Sequence, residues 1–254
     1  MLCKVLLEEM NWKEVKAALE SGVNTVIIVA GSIEQHGPHI AEACDALLGH
    51  AIAVKVAEEL GNALVAPVIR PGLSSHHLKF PGSISLRKET FMLLVEDYVS
   101  SLASQGFKNF ILFSSHGGNF EALVEVAADL AVKYRECKFV TGPTLFELVE
   151  TMMKVGRELG IEEERVGFHA GEAETSKMLA EYPHLVMTEN FEPGFLGKLT
   201  PELEEKFLRE GLHEITANGV LGDPTAGAYA ENGRRYIKAW VDLIVKKVKD
   251  STLG

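Results

Sequence analysis

Apolar positions in the first half of the chain follow two patterns in alternation. Thr25–Ala30 is an unbroken β-branched run, the signature of a strand covered on both faces. Asn109–Phe113 repeats it and Lys138–Thr141 gives a shorter version. Leu64–Ile69 reads as a further strand, at an edge or bulged because Pro67 cannot donate to a ladder. Between these runs lie helical stretches: Trp12–Glu20 ended by Gly22, Asp45–Leu60 closed by Gly61, Thr90–Ala103, and Asn119–Lys133. Regular β–α alternation predicts an α/β fold with three α/β/α layers and a mainly parallel central sheet. The whole span 1–254 reads as one domain.

Periodicity weakens in the second half. A helix is expected from about Ala170 to Ala180, a short strand at Leu185–Met187, a polar helix at Pro201–Arg209, and a final helix from about Tyr229 to Lys249. Composition changes this picture little but excludes several functions. The net charge is −11, and the longest basic run, Lys246-Lys247-Val248-Lys249, ends the last helix, where its dipole favours positive charge. Nucleic acid is therefore not an expected partner. No segment has the roughly 20 apolar residues needed to cross a membrane. Three separated cysteines, Cys3, Cys44 and Cys137, suit reduced thiols and a cytoplasmic location.

Chemistry gathers where strands end. Gly31-Ser-Ile-Glu-Gln-His-Gly-Pro-His39 follows the first strand. Glu34 and His36, two residues apart in extended backbone, leave from one face and can reach one ion. Asp45 follows at a helix start, completing an oxygen/nitrogen set suited to zinc, manganese or iron(II). Nearby His39 and His50 read as loop histidines that hydrogen-bond locally, and Cys44 as a small buried side chain rather than a thiolate ligand. His116, in Ser114-Ser-His-Gly-Gly-Asn119, falls at the carboxyl edge of the sheet, where open α/β sheets bind ligands. Asn119 suits a helix cap or a ligand contact. Phe168-His-Ala-Gly-Glu-Ala-Glu-Thr-Ser176 places His169 on the same face as Glu172 if helix has begun, with Glu174 directed elsewhere. Gly72-Leu-Ser-Ser-His-His-Leu-Lys-Phe-Pro-Gly82 adds Ser74 and His77 as substrate contacts.

These four segments together resemble the creatininase (creatinine amidohydrolase) family, whose members carry Glu-x-His-Gly-x-His, Gly-x-Ser…His…Phe-Pro-Gly, His-Gly-Gly-Asn and His-Ala-Gly-Glu-x-Glu-Thr-Ser. Gly222-Asp-Pro224 and Gly233-Arg234 are similar to its C-terminal pattern. The resemblance implies two divalent ions per chain, zinc, manganese or iron, with Asp45 bridging and Glu34, His36 and His116 completing the set. Some members place a glutamate two residues after the last histidine. Gly118 stands there in this chain, so Glu174 is taken as the replacement ligand, with Glu172 or water as alternatives. A homo-oligomer is implied, hexamers being common in the family. Creatininase itself uses an enclosure of tryptophans between the third and fourth segments. Trp12 and Trp240 lie outside that region, and His76 stands where a glutamate is common, which argues for another small-molecule amide.

The expected reaction is hydrolysis of an amide-type C–N bond in a cyclic amide, formamide or small peptide-like substrate. Metal-activated water attacks, and His169, positioned by Glu172, protonates the leaving nitrogen. Two other classes fit less well. A metal-containing binding or assembly protein would close its coordination shell. A metal-dependent phosphoesterase would bring cations to the site, and the four segments contain only Lys79.

Overall fold

The computed structural model describes residues 4–198 and 200–251, so Cys3 lies outside the described residues. Helix α1 (Trp12–Glu20) leads into β1 (Thr25–Ala30), α2 (Cys44–Leu60), β2 (Ala63–Val65), α3 (Lys88–Ser104), β3 (Asn109–Ser114), α4 (Phe120–Lys133) and β4 (Lys138–Thr141). The strands pair in the order β2-β1-β3-β4, all parallel. Register runs from Thr25 opposite Asn109 to Ala30 opposite Ser114, so β1 and β3 end together. Alternate residues of β1 enter opposite cores. Ile27 and Val29 face α2 and helices from the second half, whereas Val26 and Ile28 face α3 and α4. That is the expected α/β/α layering.

The second half supplies α5 (Leu145–Leu159), α6 (Glu163–Val166), α7 (Glu172–Glu181), α8 (Pro201–Glu210) and α9 (Ala230–Lys249). Helix α5 was not anticipated, although its start carries a capping box: Thr144 Oγ1 accepts the Glu147 N–H, and the Glu147 carboxylate accepts the Thr144 N–H. Two strand expectations are corrected. Pairing of β2 ends at Val65, because Pro67 removes a donor, and only an isolated bridge joins Ile69 to Ala30. Leu185–Met187 is not a strand: Pro183–Leu185 forms a 3-10 turn, and Val186 makes one bridge to Ile40. Among the described residues, no helix is long and apolar enough to cross a membrane.

Candidate metal centre

The candidate ligands come from four chain segments that meet at the carboxyl edge of β1 and β3. Gly31 lets the chain leave β1 directly over α2: a Cβ there would lie 2.6 Å from Ala46 Cα. Gly49 gives α2 equal closeness to the β3 end, where Ser115 Oγ donates to the Asp45 carbonyl at 2.7 Å. These approaches bring Asp45 between the Glu34–His36 loop and His116.

Three imidazoles point at three carboxylates. His36 Nε2 is 3.5 Å from Asp45 Oδ1 and 3.8 Å from Glu174 Oε2. His116 Nδ1 is 3.3 Å from both Glu34 Oε1 and Asp45 Oδ2. His169 Nδ1 is 3.8 Å from Glu34 Oε1. In each ring the outer nitrogen faces a backbone carbonyl: His36 Nδ1 to Glu34 O at 3.0 Å, His116 Nε2 to Leu73 O at 3.1 Å, His169 Nε2 to Gln35 O at 2.7 Å. A carbonyl can only accept, so each outer nitrogen carries a proton and each inner nitrogen is the one that can turn a lone pair to an ion. His36 Nε2 and Asp45 Oδ2 are buried without any hydrogen-bond partner. Buried carboxylates facing these nitrogens require positive charge among them, from protons or a metal ion, and the oxygen/nitrogen set suits a divalent transition ion. Among the described residues, three groups are compact enough to share an ion: Glu34, Asp45 and His116; His36, Asp45 and Glu174; and Glu34, His36 and His169.

The electrostatics agree. Burial opposes protonation of His36, yet the Cys44 sulfur and Asp45 carboxylate hold its pKa well above the usual imidazole range. Burial is likewise overcome at His116 by Glu34 and Asp45. Burial would raise both carboxylates, but His116 and His77 hold Glu34 well below its ordinary range, and His36 holds Asp45 at about 2. His169 goes the other way, pushed down by burial and by His36, and is neutral at pH 7.

Glu174 and Glu172 part company at the start of α7. The helix begins at Glu172, so His169 precedes it, tied by backbone hydrogen bonds to Leu221, and shares no helical face with Glu172. Asp223, through its ion pair with Arg165, holds the Leu221 segment in place. Glu172 faces away from the centre and accepts from Tyr236 Oη at 2.7 Å, Ser176 Oγ at 2.7 Å and Asn232 Nδ2 at 3.0 Å. The expected positioning of His169 by Glu172 is corrected accordingly. Glu174 instead reaches back to the Ala170 N–H at 2.6 Å and faces His36. Position 118 has no room for a ligand, since a Cβ on Gly118 would lie 2.3 Å from Leu73 O and 2.7 Å from His116 Nε2.

The expected substrate contacts separate as well. His77 reaches the centre, with Nε2 3.2 Å from Glu34 Oε1. Ser74 is fully buried, its hydroxyl held between Ser32 Oγ and His116 Nε2. Asn119 neither caps α4 nor faces the centre. It clamps two loops, accepting from Leu73 N at 2.9 Å and donating to Gly31 O at 2.9 Å. His39 donates to or accepts from Thr175 Oγ1 at 3.0 Å, outside the three ligand groups. Burial raises the Cys44 thiol to about 11. Gln35 was missed: its side-chain nitrogen lies 3.0 Å from His77 Nδ1 and 3.1 Å from Gly219 O. Its only sequence signal is a place between two candidate ligands.

The family described as creatinine amidohydrolase matches residues 8–248. The mycofactocin precursor peptide peptidase of Mycolicibacterium smegmatis is 31% identical over 236 residues, covering 91% of this chain and 87% of the relative. The creatinine amidohydrolase of Pseudomonas putida is 32% identical over 195 residues, covering 72% and 74%. A crystal structure of creatinine amidohydrolase superimposes with a TM-score of 0.80 at 27% identity, covering 97% of each chain. A mutant creatininase described as a Zn–Zn type and a creatininase described with Mn align with TM-scores of 0.80 and 0.79, at 26% and 27% identity, each over 97% or more of both chains. The match spans all four strands and every candidate ligand, and the chain belongs to the creatininase family.

Proposed function

We propose that this protein hydrolyses an amide-type C–N bond in a small or peptide-like substrate, at a centre of two divalent ions. The carrying observation is the set of three imidazoles whose outer nitrogens are satisfied by backbone and whose inner lone pairs converge on Glu34, Asp45 and Glu174. Glu34, Asp45 and His116 would hold one ion, and His36, Asp45 and Glu174 the other, with Asp45 shared. The Zn–Zn creatininase structure supports two ions in a relative of this fold. Bound ions of this kind supply water ionised near neutral pH and a polarised carbonyl.

The chain's own residues then handle protons. Neutral His169 takes the proton from the attacking water on Nδ1 and gives it to the leaving nitrogen, while Nε2–H holds the ring to Gln35 O. That transfer is needed because an amide anion is a very poor leaving group. Gln35 donates to His77 Nδ1, which leaves the His77 proton on Nε2, directed at Glu34 and available to a substrate oxygen. Residues 1–254 act as one domain in this reading, in a cytoplasmic homo-oligomer, with a hexamer as the family's common form. Reduced, buried Cys44 and Cys137 support the location, and exposed Trp12 and Phe146 support burial against other copies.

Elemental analysis of protein purified without chelators, followed by a panel of cyclic amides, formamides and short peptides, tests the proposal. The expected result is about two metal equivalents, with activity abolished and fold retained in His36→Ala. Metal below ~0.2 equivalents with no uptake of zinc, manganese or iron(II) rejects it.

A further inference from the structure

Beside the candidate centre lies a pocket of about 100 Å3, space for several water molecules or a short side chain. His169 and Glu174 form its inner wall, and Phe120, Val149 and Met152 give it apolar sides. Two donors on this wall have no acceptor among the described residues. Lys177, 4% exposed, stands one turn beyond Glu174 on α7, and among the described residues no carboxylate pairs with it. Its Nζ sits 4.8 Å from the ring centroid of Trp240, which α9 brings to the same pocket from far along the sequence. The Trp240 Nε1–H is itself buried without a partner.

The aromatic face meets the Lys177 ammonium on one side and supplies no hydrogen-bond acceptor. An indole N–H left without an acceptor is costly. One group satisfies both: a singly charged, acceptor-only carboxylate with two oxygens. Lys177 lies three residues past Glu174, a rise of about 4.5 Å along the helix. In an N-acyl α-amino acid the carboxylate stands two bonds beyond the scissile nitrogen, on the leaving side. His169, which the proposed mechanism places at that nitrogen, lines the same pocket.

We propose that Lys177 and Trp240 bind a carboxylate on the leaving half of the substrate. The enzyme then acts on amides whose leaving amine is an apolar α-amino acid, as in an N-acyl amino acid or the carboxy-terminal residue of a short peptide. This rests on the amide-hydrolase reading of the adjoining centre. A leaving half without an acid group offers the Lys177 ammonium no counter-charge, so the pocket selects for charge as well as shape.

The test compares metal-loaded wild type, Lys177→Met and Lys177→Arg on N-acetyl-L-valine and N-acetyl-L-valinamide. Calorimetric binding of valerate and valeramide, and the melting temperature without ligand, are measured alongside. Wild type should prefer the acid. Lys177→Met should lose 10–100-fold in kcat/KM on the acid, chiefly through KM, and less than threefold on the amide. It should also lose valerate binding while melting close to wild type, because no protein acceptor loses its donor. Lys177→Arg should keep part of the preference. Equal loss on both substrates, valerate binding unchanged in Lys177→Met, or tighter binding of inorganic phosphate than of valerate would each overturn the proposal. Amide hydrolysis without dependence on Lys177 sinks the carboxylate site alone. Lys177-dependent valerate binding without hydrolysis of any amide keeps that site and sinks the hydrolase reading.

Discussion

Replacing Gly118 by alanine tests whether the His116 hydrogen bond to Leu73 sets the metal centre. The added Cβ would lie 2.3 Å from Leu73 O, against an ordinary contact of at least 3.4 Å, so the carbonyl must move about 1 Å. It would also lie 2.7 Å from His116 Nε2, wedged between the two partners of the bond that orients the ring. Loss of such an outer partner typically costs 10–100-fold in metal affinity, about 1.4–2.8 kcal/mol. Competition against a chromophoric chelator at fixed pH measures it, with near-UV circular dichroism as the check on folding. Gly117→Ala is the control, since nothing lies within 4 Å of a Cβ there. Affinity within threefold of wild type for Gly118→Ala, or an equal loss for Gly117→Ala, would refute the steric argument.

Tyr236→Phe removes a donor from the buried Glu172 carboxylate and should cost about 1.5–3 kcal/mol in denaturant unfolding, with metal content unchanged. Lost metal at full stability would instead place Glu172 in the centre. Stripping metal with a chelator should lower the melting temperature by roughly 8–16 °C if about 4 kcal/mol of binding energy is withdrawn. An unmoved transition would count against a metal-organised site. Thr144→Ala should cost about 1 kcal/mol through the lost cap of α5, and a change under 0.3 kcal/mol would contradict the capping geometry. The Cys44 thiol, fully buried and raised to about 11, should resist aromatic disulfide reagents at pH 8 until the protein unfolds. Rapid labelling of Cys44 in the native state would show the α2 start to be open.

The parts of the fold and site that could be read from sequence are those with a local cause. Thr25–Ala30 declares itself because a strand covered on both faces needs an unbroken apolar run, here the five residues Val26–Ala30. Glu34 and His36 declare themselves because spacing two in extended chain places them together. Helix α5 could have been found from Thr-x-x-Glu at residues 144–147 and the apolar face Leu148, Met152 and Val155, yet it lies after the last strand, where the β–α rhythm ends. Glu172 misled because the start of α7 decides which face each acid takes, and two acids spaced i and i+2 point to roughly opposite faces once helix has begun. Ser74 and Asn119 misled because polar residues beside a site serve the loops as readily as the ligand. Lys177 and Trp240 meet only through the packing of α7 on α9, which no local pattern encodes.

In the proposed two-ion reading, the carbonyl-held imidazoles make loading the centre an ion exchange. With metal stripped, His36 and His116 keep protons on their inner nitrogens at neutral pH, because the surrounding carboxylates hold their pKa values well above the usual range. An incoming cation must expel those protons. Metal affinity therefore falls as pH falls, with a slope approaching two protons per chain, and the measured heat of uptake varies with the ionisation enthalpy of the buffer. Acidification and chelation become equivalent routes to the same empty, doubly protonated centre, and mild alkali favours refilling it.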